Sequence, residues 1–308
     1  MNTNELSALI TLIEDPDETV YSEVRRELEL RGEQILPQLE NWWESHDFGP
    51  LFQRRLEELI QTIQYKTVFQ RLKEWKENPE AQLLEGWLIL NRYQYPSFDE
   101  YELKRQVSKI RQGIWLELND ELTALETVKV FNYILYNLQQ FHAPEHTDTD
   151  PQYHYLSDVL SSRCGNHIAL AMLYLALAES LDIPIYGVDA PSKVLMCYAN
   201  PVFDDLDELD QLENIEDLAT LEHLPEAWHE DILFYINASE VGKVIARDEV
   251  IEAAKKKNPN ADGQPLLPCT HQALMIRMVQ SLIHSYEQSF KPDKVRELQA
   301  LVSVLLEQ

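Results

Sequence analysis

Residues 168–178 read IALAMLYLALA, eleven positions with no charge and one polar atom, the Tyr174 hydroxyl. A helix that is apolar on every side is stable only when other parts of a fold enclose it, and this one is well short of the roughly 20 residues that span a bilayer. The run therefore predicts the central helix of a globular core. Asn166 has the side chain of an N-cap, and Gly165 lets the backbone enter tightly. His167 then falls in the first turn, at the positive end of the helix dipole. That field stabilises a thiolate and pushes an imidazole towards its neutral form, so the position suits a catalytic cysteine better than a histidine.

The rest of the chain supplies the enclosure. Its 308 residues include only 8 glycines, and 44% of them are hydrophobic, which favours helices over turn-rich sheets and is enough for about two domains. Amphipathic helices are expected across 5–46, broken at Asp15-Pro16-Asp17 and at Gly32, and again from Leu51 to about Gln140. In the second region Asn78-Pro79, Tyr95-Pro96-Ser97 and Asn119-Asp120 carry the turn chemistry. After 163 the texture changes. IPIYGV (183–188), KVLMCY (193–198) and DILFYI (231–236) read as short strands, followed by helices at 247–257 and a closing helical hairpin. The expected fold class is mostly α with a small α+β core.

A net charge of −27 repels phosphate backbones and anionic headgroups, so neither nucleic acid nor a membrane is expected as a partner. Residues 204–231 hold 12 of the acidic side chains and no Lys or Arg, with Leu206, Leu209, Leu212 and Leu218 among them. They form either a solvated surface segment or an insert that meets a basic protein partner. The cysteines at 164, 197 and 269 form no C-x-x-C pair and no even-numbered framework, and the N-terminus is acidic where an export signal needs positive charge. A reducing cytosol is the expected location. His142-Ala-Pro-Glu145-His146 matches the letters of the inverted zinc-protease pattern, but Pro144 breaks the helix that such chemistry needs. His142, His146, Asp148 and His154 read as a loop able to take up metal only adventitiously, and no cofactor or resident metal is expected.

The stretch YLSDVLSSRCGNHIALAMLYLALAESLDIPIYGVDAPSKVLMCY resembles the core of the SirB-type branch of the transglutaminase-like superfamily. The matching positions include Arg163, Gly165, Asn166, Ile168, Leu173, Tyr174, Pro184, Gly187, Val188 and Pro191. The likeness extends over roughly 80–308, and 1–78 is similar to a HEAT-type unit. It implies a papain-like core at 151–260, in which a buried helix packs on a short antiparallel sheet and 204–231 is an insert. Helices at 79–150 lead into that core, and a tetratricopeptide-like hairpin at 261–308 follows it.

Active relatives use a cysteine at the start of the buried helix, a histidine on the next strand as its base and an aspartate on a third strand to orient the base. The family's nucleophile stands 17 residues before the proline of the helix-to-strand turn, and 184 − 17 = 167 puts it on His167. The base position falls on Lys193 and the orienting position on Asn237. The resemblance therefore implies a catalytically inactive protein that acts by binding other proteins. Two alternatives stay open. Cys164, three residues early, is the nucleophile of a hydrolase or acyltransferase with His167 or another histidine as base; or the retained cleft binds a small ligand or peptide, with Lys193 meeting a carboxylate beside Asn166, His167 and Asn237.

Overall fold

The computed structural model describes residues 3–45, 49–145, 149–190, 193–199, 232–257 and 266–307. The acidic stretch 204–231, along with His146, Asp148 and Pro191, lies outside them. The chain divides into two compact units, each assembled from separate stretches.

The first unit comprises Met1–Ala81, Leu88–Asp99 and Ser303–Gln308. Its opening helices are α1 (Thr3–Thr11), α2 (Glu18–Arg31), α3 (Leu36–Ser45) and α4 (Pro50–Glu77). The expected breaks fall where turn chemistry demands them. Asp17 caps α2 by accepting from the Thr19 amide at 2.8 Å. Gly32 ends that helix with φ +61°, a conformation that is strained for a residue with a Cβ. Pro37 sits in the first turn of α3, where its missing N–H costs nothing, so it starts that helix instead of interrupting it. Ile10, Ile13, Leu28, Leu39, Leu56 and Leu59 form a fully buried core. Arg55 reaches into that core from α4, only 3% exposed. Its guanidinium donates to the carbonyls of Ile13 (3.0 Å) and Asp15 (2.7 Å) and to Glu18 Oε1, while lying 3.9 Å over the Tyr21 ring.

The second unit comprises Gln82–Trp87 and Glu100–Val302. Its chain order begins in α5 (Leu83–Gln94), whose first turns belong to it, and continues with α6 (Glu100–Glu117) and α7 (Ala124–Asn132). A π-helical turn at Tyr133–Leu138 follows, then α8 (Leu156–Ser162) and α9 (His167–Glu179). The sheet is β1 (Ile185–Ala190), β2 (Lys193–Ala199), β3 (Ile232–Asn237) and β4 (Lys243–Ile245), antiparallel throughout and paired in sequence order. Three closing helices are α10 (Arg247–Lys257), α11 (His271–Gln288) and α12 (Pro292–Leu306).

The expected enclosure of 168–178 is complete, for every residue from Ile168 to Ala178 is buried. One face of the sheet receives α9 and α11. At Gly187 an added Cβ would stand 2.7 Å from Leu274 on α11 and 3.1 Å from Leu175 on α9, so only glycine permits this approach. The other face carries Val188, Leu195, Cys197 and Tyr235, packed with Val250 of α10. The fold is thus predominantly helical with a small four-stranded open antiparallel sheet.

The turn between α11 and α12 stores strain. The Phe290 amide bonds to Glu287 O and the Lys291 amide to Tyr286 O, the paired closure of a helix end that normally has glycine at the left-handed position. Phe290 adopts φ +54° there with its ring 90% exposed. Phe290→Gly is therefore expected to raise the unfolding free energy by about 0.5–1 kcal/mol, read as a higher denaturant midpoint with unchanged slope.

Candidate functional site

The N-terminus of α9 is built as the sequence predicts. Asn166 is fully buried, and its Oδ1 accepts from the Ala169 amide at 2.8 Å. The carboxamide nitrogen turns away from the helix and donates to Ser281 Oγ of α11 at 3.4 Å. His154 Nε2 meets the same hydroxyl at 2.9 Å, and the His154 carbonyl accepts from Trp87 Nε1 at 2.8 Å. Below this cluster, the Tyr155 and Tyr286 hydroxyls bond at 3.0 Å. The helix entrance is thus clamped to α11 by hydrogen bonds that converge on Ser281. Here the structure corrects the reading of His154 as part of a loop open to adventitious metal, since it is 0% exposed in a short 3-10 turn (Pro151–His154) and belongs to the core. Among the described residues no group of His, Cys, Asp and Glu is placed to hold a metal ion.

His167 is the first residue of α9 and is partly exposed. Lys193 opens β2, its backbone paired with Ala190; its side chain lies outside the described residues. Asn237 closes β3. The pairing of Met196 with Ile236 puts it level with Leu195, two residues along β2 from Lys193. The sheet therefore brings positions 193 and 237 to the same end of adjacent strands.

The carboxamide of Asn237 is nevertheless spent locally. Its Oδ1 accepts from the Ser239 amide (3.2 Å) and hydroxyl (2.8 Å), and its Nδ2 donates to Glu240 Oε1 at 2.6 Å. Alternation along β3 places it with Tyr235 on the α10 face, whereas Ile236 shares the α9 face with Met196 and Gly187. Asn237, only 1% exposed, thus uses its amide to cap a turn.

The hairpin that follows is pinned to the helices beside it. Asn132 Nδ2 donates to Gly242 O at 2.8 Å, Tyr136 OH donates to Ala238 O at 2.8 Å, and Tyr174 OH donates to Asn132 Oδ1 at 3.3 Å. Tyr174 also stacks on Phe131 with ring centroids 5.0 Å apart.

Cys164 sits on the entering loop. The backbone of His142 brackets it, donating to Arg163 O at 2.9 Å and accepting from the Gly165 amide at 3.1 Å. The His142 ring turns to the Gln140 carbonyl, 3.1 Å away. Arg163, in the left-handed region at φ +60°, lays its guanidinium 4.9 Å over the Phe141 ring. Burial pushes the Cys164 thiol up, and it pushes Cys197 and Cys269 up to about 12. A nucleophilic thiol needs the opposite shift.

A family profile described as Transglutaminase-like superfamily matches residues 101–280, more than half of the chain. The chain belongs to the transglutaminase-like superfamily. No curated protein and no solved structure matches it. The matched span contains α6 to β4 and most of α11, and with them the α9 entrance and both strand positions. The superfamily holds both active and inactive members, so membership fixes the scaffold and leaves the chemistry to the side chains. A groove of about 330 Å³ between α2 and α4 lies outside the matched span. Its charges pair across it, Lys66 with Glu29 at 2.7 Å and Arg71 with Glu33 at 2.6 Å.

Proposed function

We propose that this protein is a catalytically silent transglutaminase-like protein of the SirB-type branch that works in the cytosol by binding other proteins. The observation that carries this reading is the fate of the orienting position, where an amide caps its own turn while the scaffold around it is kept. The residues His167, Lys193 and Asn237 at the three catalytic positions support it from the sequence side. On this reading the HEAT-like start and the tetratricopeptide-like end are binding elements. The acidic stretch 204–231 favours a basic partner.

A thiol enzyme built on Cys164 would need a base and a lowered thiol pKa, and the loop supplies burial instead. The purified chain is expected to show no amidase, peptidase or acyl-transfer turnover on model peptides beyond that of Cys164→Ala. Its Cys164 should alkylate with a pH midpoint above that of a free thiol. Thiol-dependent turnover well above background, or a midpoint below neutrality, would overturn the silent-enzyme reading. For the binding role, deleting 204–231 should lower recovery of cross-linked basic proteins without moving the melting transition; unchanged recovery would remove the insert from that role.

A further inference from the structure

We draw no further inference here: the strongest candidate, the groove of about 330 Å³ between α2 and α4, has carboxylates and cations that already pair across it, Glu29 with Lys66 and Glu33 with Arg71, and nothing in the structure shows what would displace them or cover it.

Discussion

Gly242→Ala is expected to destabilise the matched core by about 3–4 kcal/mol, enough to lower its melting transition by many degrees. Gly242 holds φ +67°, and a Cβ built there stands 1.8 Å from Asn132 Oδ1 and 2.4 Å from Asn132 Cγ. The left-handed backbone alone costs an alanine about 1–2 kcal/mol. Relieving the overlap then requires the Asn132 side chain to leave, and with it go its bond to Gly242 O and its place as acceptor for the buried Tyr174 hydroxyl. A buried hydroxyl left without its acceptor adds about 1–3 kcal/mol. The double variant Gly242→Ala/Asn132→Ala removes the overlap but not the backbone strain or the stranded hydroxyl. Calorimetry should therefore place it between Gly242→Ala and the native chain. Equal stability of Gly242→Ala and the native chain would show that the hairpin is not held as described.

Arg55→Met should cost the first unit about 2–4 kcal/mol, an effect large enough to expose α1 and α2 to limited proteolysis. The substitution keeps the length of the side chain stem and removes three donors. The carbonyls of Ile13 and Asp15 then lose the guanidinium that collects them where α1 gives way to α2, and Tyr21 loses its cation. Glu18 is well exposed and its carboxylate can return to water, so most of the loss comes from the carbonyls and the ring. Glu18→Gln should accordingly cost under about 1 kcal/mol. Comparable losses from the two variants would shift the weight from the buried bonds to the ion pair.

The buried helix was legible because nothing about it depends on distant residues: an apolar run without a period forces enclosure, and Asn166 announces the cap. The strands lay within two residues of their expected bounds. β1 starts after Pro184 because the chain makes a tight turn there, with the Ile185 amide bonded to Ile183 O. β4 escaped notice because three residues of mixed exposure leave no alternation to read. The π-helical turn at 133–138 looked like continued α-helix, since Ile134, Leu135 and Leu138 keep apolar spacing and only the backbone pairing reveals the widened turn.

At the site, the place of His167 in the first turn of α9 could be read from the Asn166 cap, but the turn cap made by Asn237 could not. Its face depends on strand register and its amide on the turn after it. His154 was opaque for a similar reason. A histidine among Asp, Pro and Gln reads as solvated, whereas in the fold Trp87 and Ser281, 67 and 127 residues away in the chain, hydrogen bond to it.

Neither unit is continuous in sequence, and this sets a timetable for synthesis. The first unit runs to Ala81 and needs Ser303–Gln308 as well, where the Val304 carbonyl takes the Lys76 ammonium at 3.0 Å. The second cannot seat Gly187 or close the entrance of α9 until Leu274 and Ser281 exist. At about 5–20 residues per second, the ribosome takes on the order of 10–40 s to travel from Ala81 to Ser303. For that interval the Lys76 ammonium waits for the Val304 carbonyl, and the sheet face at Gly187 and the entrance of α9 stay open until α11 is made, exposing surface of the kind that chaperones shield.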